Sequence, residues 1–148
     1  MAVPVGQRNV PDNLQNQKFD AVYQAMCLAS HTILLCKNKN IFKPEINETI
    51  INDLVETAKN IYLEAYGANE IRVKHLENWK RREEKEARAI DLCTRLLSLI
   101  NLARHVFHLR GKKVLYWQRM ATTTKSYLMV WYQSEVKRFE YLYYENRT

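Results

Sequence analysis

Glycine and proline are nearly missing from this chain, with three of each in 148 residues. Pro4 and Pro11 lie near the start, so the remainder lacks the punctuation that tight turns between strands require. A sheet-rich domain is thereby excluded and an all-α one expected. The three cysteines, Cys27, Cys36 and Cys93, are an odd number on helical stretches, which excludes a disulfide framework and fits reduced thiols. No apolar run approaches the ~18 residues of a membrane span, and Met1 to Asn13 lacks the apolar core of a secretory leader, so a cytoplasmic location away from membranes is expected. There is no Gly-rich phosphate loop, Cys-x-x-Cys, His-Glu-x-x-His or Gly-x-Ser-x-Gly, so no local signature of catalysis points to an enzyme or a cofactor. His105 and His108 are three apart, but the Glu-x-x-His pattern of a bundle metal site is missing, and they read as polar rim histidines with no metal. Cys93 sits on an apolar stripe, where a free cysteine behaves as a small buried hydrophobe.

Apolar weight is concentrated between Ala87 and Trp131. Ala87, Ile90, Cys93, Leu96, Leu97, Ile100, Ala103 and Phe107 recur at steps of three and four and share one helix face. Arg110-Gly111-Lys112-Lys113 interrupts that stripe, since Gly111 can take the left-handed conformation that ends a helix. Val114, Trp117, Met120, Ala121, Thr124, Leu128 and Trp131 then resume the spacing, which predicts a helical hairpin. Two such stripes need further helices to cover them. Phe19, Val22, Tyr23, Met26, Ser30, Ile33 and Leu34 form a first one, from Lys18 to about Cys36. A second begins near Pro44, with Glu45 and Glu48 at its positive dipole end, and carries Ile46, Ile50, Leu54, Ala58, Ile61 and Ala65 until Gly67 and Asn69 stop it.

The expectation is an antiparallel up-down-up-down four-helix bundle with a long third helix, over residues 18–148, preceded by a flexible tail over 1–17. The third helix spans about Val73 to Leu109. Its early part, ENWKRREEKEAR, is almost wholly charged and compatible with one continuous rod or with a break between Lys80 and Lys85. The last helix starts near Lys112 and extends through Phe139, Leu142 and Tyr143, which keep an apolar face.

The charge of +7 favours an anionic partner. It is unevenly spread: residues 44–69 carry five acids against one lysine, whereas 70–110 carry ten cations against six acids and 111–148 seven against three. In the expected topology the first and third connections meet at one end, which would gather Lys37, Lys39 and Lys43 with Arg110, Lys112 and Lys113. Arg72, Lys74, Arg81 and Arg82 belong to a second basic region near the other end. Such clusters can neutralise phosphates without reading sequence. Tyr116, Trp117, Tyr127, Trp131 and Tyr132 could stack on bases, although at helical spacing aromatics are more often core or interface. Trp79, alone in the charged arm, suggests an oligomer or partner contact, and Trp131 is a second candidate.

Three stretches carry a resemblance: IINDLVETAKNIYLEAYGAN, EARAIDLCTRLLSLINLARHVFHLRGKKVLYWQRM and LMVWYQSEVKRF. Over about Lys18 to Phe139 the chain resembles the accessory variability determinant (Avd) proteins of diversity-generating retroelements, and more loosely the wider four-helix-bundle family that includes proteins encoded in 23S rRNA intervening sequences. The resemblance implies a barrel-shaped homopentamer with a basic surface. It would bind the element's reverse transcriptase and its template RNA or cDNA, to support mutagenic reverse transcription without catalysing it. By general charge character it adds Arg104 and Arg119 to the basic positions above. Two alternatives stand beside it: an interaction module of the wider bundle family without retroelement context, and an enzyme using Cys93 or the His105 and His108 pair.

Overall fold

The computed structural model describes residues 14–145, apart from the side chains of residues 14–19, 46 and 47. Among the described residues the chain is all-helical, with four long helices: α1 Leu14–Cys36, α2 Pro44–Glu70, α3 Leu76–Val106 and α4 Lys112–Arg138. A fifth, α5, is the short Tyr141–Glu145. Helix α1 packs on α2 and α4, and α3 packs on the same two, so the four close a ring around one core. That arrangement is a helical bundle.

The tail expected over 1–17 is helical from Leu14, and residues 1–13 lie outside the described residues. Helix α2 begins at Pro44, where the missing N–H costs nothing, with Glu45 in its first turn. Gly67 does not end it. The helix runs on to Glu70 because Ala65 and Ala68, flanking that glycine, are both fully buried, and packing overrides a weak local preference. Helix α3 is one unbroken rod through Lys80 to Lys85. Asn78 Oδ1 accepts the His75 N–H at 3.0 Å to secure its start. At its other end His108, not Gly111, takes the left-handed conformation (φ 53°), while the Leu109 N–H returns to the Arg104 carbonyl. Gly111 (φ 96°) instead precedes α4, whose first turn has no side-chain cap.

Three of the four predicted stripes face the core. Leu54, Ala58, Ile61 and Ala65 on α2, Cys93, Leu96, Ile100 and Ala103 on α3, and Trp117, Ala121 and Leu128 on α4 are all fully buried. The α1 stripe is wrong. Its buried face is Ala21, Ala25, Leu28, Ala29, Thr32 and Cys36, whereas Met26 is 41% and Leu34 67% exposed. Small side chains let α1 lie close to α4, and a polar contact fixes its rotation: the Trp117 indole Nε1–H donates to Thr32 Oγ1 at 2.9 Å in the core.

Trp79 and Trp131, expected at an interface, are each 1% exposed and belong to the interior of the chain. Trp79 packs on Phe139, ring centroids 5.0 Å apart, and with Leu142 forms a small second core that folds the C-terminal segment back onto the start of α3. Trp131 lies in the main core with the Arg82 guanidinium 5.6 Å from its ring.

Arg82 is the second correction to the expected surface. Its side chain is 5% exposed. Nε and Nη2 donate to the two oxygens of Glu135 at 2.7 and 2.8 Å, Nε also meets Glu86 at 3.2 Å, and Nη1 donates to the Ile71 carbonyl at 2.9 Å. One guanidinium thus faces two buried carboxyls. Burial, and then the adjoining Glu135, push Glu86 well above the ordinary carboxylate range despite the pull of Arg82. That shift favours the protonated form of Glu86. The unfolded chain releases that proton above about 4.5, so stability is lost as pH rises toward the raised value. Glu86→Gln, which mimics the protonated form, is expected to melt several degrees above the parent at pH 8 and to lose this advantage by pH 5. Thermal unfolding at both pH values checks this, and a variant less stable than the parent at pH 8 would refute it.

Candidate nucleic-acid interface

Two connections meet at one end of the bundle because aromatic packing holds them there. Phe42, the last apolar residue before α2, is fully buried and sits edge-on to Phe107 at 5.3 Å and to Trp117 at 5.9 Å. Residues 37–43 and 107–113 are thereby neighbours. Lys37, Lys39, Lys43, Arg110, Lys112 and Lys113 are all exposed on them, and neither stretch contains an acid. Helices α2 and α4 also both start here, each without a side-chain cap, so two positive dipole ends point the same way as the six cations. Lys112 and Lys113 occupy the first turn of α4, where local electrostatics disfavour them. An approaching anion relieves that repulsion.

Two clefts open at this rim. One, of about 450 Å³, is lined by His31, Leu34, Leu35, Asn38, Lys112, Lys113 and Tyr116. The other, of about 440 Å³, lies between the connections and shares Leu35, Lys112 and Lys113 with the first. Tyr116 is 56% exposed and its ring stands edge-on to His31 at 5.3 Å. Burial lowers the His31 pKa, which favours a neutral imidazole. His31 and Asn38 escape sequence reasoning because nothing in their spacing marks them; only the rotation of α1 brings them beside α4.

The other basic candidates do not form one surface with this rim. Arg72 is exposed and, with Arg82, Arg138 and Glu70, lines a polar cleft of about 450 Å³ beside the α2–α3 connection. Lys74 and Arg81 are exposed in the same part of the chain. Arg104 is half-buried and donates to Gln118 Oε1 at 3.0 Å, and Arg119 is exposed on α4 beside Leu115 and Thr122. The acidic charge of α2 is partly spent on α3: Glu64 accepts from Arg88 at 3.2 Å and from Lys85 at 3.5 Å.

Cys93 is fully buried, and burial pushes its thiol up to about 12, the opposite of what an attacking thiolate needs. Cys36 is pushed up to about 12 in the same way. His108 falls beyond the end of α3, so it does not share a helical face with His105. Among the described residues no group of three or more His, Cys, Asp or Glu side chains could hold a metal ion, and no helix is long and apolar enough to cross a membrane.

Fold and site together define a helical bundle with an aromatic-floored basic rim whose two connections carry no acid, the nearest in sequence being Glu45 in the first turn of α2. No protein-family model, curated protein or solved structure matches the chain.

Proposed function

We propose that this protein is a non-catalytic nucleic-acid adaptor of the Avd kind: a cytoplasmic, antiparallel, homopentameric four-helix bundle that holds template RNA or cDNA for a retroelement reverse transcriptase. The six exposed cations gathered on two adjoining connections carry the reading, because such a cluster gains affinity for phosphates by releasing counterions. Pairings along the helices support the antiparallel arrangement. Glu135, late in α4, meets Arg82, early in α3, while Gln118, early in α4, meets Arg104, late in α3. Exposed apolar side chains on α1 and α4, including Met26, Tyr127, Met129 and Val130, supply surface for a second copy or the polymerase. That same surface also suits the second reading, an interaction module of the wider bundle family with no retroelement role.

A structured RNA titrated at several salt concentrations tests the proposal, with solution mass followed by light scattering. Affinity should fall with a log–log salt slope of about −4 for unpaired strands if all six cations engage. The particle should have about five times the 17.6 kDa mass of one chain. A flat salt response, or a chain indifferent to RNA, would overturn the adaptor reading and leave the interaction module.

A further inference from the structure

We propose that the rim seats unpaired RNA bases in the two clefts that flank Lys112 and Lys113, with Tyr116 as the stacking platform of the first. This rests on the nucleic-acid reading above and narrows it to single strands. Cations alone do not account for what the rim exposes. Tyr116 and Leu34, 56% and 67% exposed, stand among lysines at the mouth of the first cleft, where a soluble chain gains nothing by leaving apolar area in water. A base offers a flat apolar face, and stacking on an aromatic ring is tolerant of sequence. The His31 ring stands at 76° to that of Tyr116, and Tyr116 remains 56% exposed, so part of its ring is free to meet a base.

The second cleft shares the lysines but not the exposed ring: Phe107, Leu109 and Val114, which line it with Arg110, are nearly buried and offer only a shallow apolar floor. Lys112 and Lys113 line both clefts. A strand with one base in each cleft would carry its linking phosphate past those two ammonium groups. Asn38 Oδ1 already accepts the Asn40 N–H at 3.0 Å, which leaves its amide NH₂ to donate to a base edge. A duplex keeps its bases stacked internally and presents mainly phosphates, so it can use the lysines but not the tyrosine.

The test is fluorescence anisotropy on the full chain, with a labelled single-stranded RNA of about ten nucleotides, within the usual range of site sizes, and an RNA duplex of the same length. Tyr116→Ala should weaken single-strand binding about tenfold and leave duplex binding and the salt slope unchanged, whereas Tyr116→Phe should retain affinity. Lys112→Ala with Lys113→Ala should weaken both ligands and reduce the single-strand salt slope by about 1.4. Thermal melting of each variant confirms folding, which the exposure of these three residues favours. Salt-dependent binding in which Tyr116→Ala has no effect, or affects both ligands equally, would overturn the stacking proposal alone. Failure of both RNAs to bind would overturn it together with the adaptor reading.

Discussion

Replacing Arg82 by methionine is expected to cost about 3–5 kcal/mol of folding stability, because it leaves the buried Glu135 carboxyl facing Glu86 with no cation between them. Glu135 is 3% exposed and both its oxygens accept from Arg82, so water cannot take over the lost bonds without opening the junction of α3, α4 and the α2–α3 connection. Arg82→Lys should recover little. An ammonium cannot donate to both Glu135 oxygens in the forked geometry and also reach the Ile71 carbonyl. The informative companion replaces the cluster together, Arg82→Met with Glu86→Leu and Glu135→Leu. If the cost of the single change is an uncompensated buried charge, the triple variant should recover most of the stability in urea unfolding. A triple variant as unstable as Arg82→Met would mean that the cluster's hydrogen bonds, rather than its charge balance, hold this end of the bundle.

Trp117→Ala is expected to be comparably damaging, at about 3–5 kcal/mol. The side chain is fully buried and touches three parts of the chain: Thr32 of α1 through its indole N–H, Phe42 of the first connection through a perpendicular ring contact, and the core along α4 itself. Its loss would leave a cavity under the rim, so RNA binding should weaken as Phe42 and the connection it anchors loosen. The hydrogen bond can be separated from the packing. Thr32→Val strands a buried N–H and should cost about 1–3 kcal/mol, and Trp117→Phe strands the hydroxyl. The two together should cost less than their sum, because the double variant leaves neither polar group without its partner. Strict additivity in chemical denaturation would show that this bond contributes nothing to the rotation of α1.

Much of the architecture was written in spacing. The α2, α3 and α4 stripes could be read because Leu, Ile, Cys and Trp recur there at helical intervals with charged residues between them. Helix α1 was misread since, Leu28 apart, its buried face is made of small residues while large ones such as Met26 and Leu34 are exposed. Ala21, Ala25 and Ala29 carry little hydrophobic signal alone, and their value appears only when another helix lies against them. Gly67 was misread as a stop for a related reason, as local preference yields where the flanking alanines are buried. At the rim, the six cations were legible from the loops that carry them, whereas His31, Asn38 and the paired clefts were not. The buried Arg82 looked like one more cation in a charged run.

The sequence by itself determined an all-helical chain, its four long helices to within a few residues except at the start of α1, the end of α2 and the end of α4, which stops at Arg138 and gives way to the separate α5 instead of running on through Tyr143, three of their four buried faces, and the clustering of basic residues on the connections. Those depend on periodicity and on local backbone chemistry, both of which a single strand of text records. Only the tertiary structure decided which cations remain at the surface, which aromatics are spent on the core, and which side chains line the clefts. Burial is a property of what lies opposite a residue, and what lies opposite comes from another helix. Arg82 and Arg81 are neighbours of one type in the sequence, yet one is enclosed by two glutamates and the other faces water.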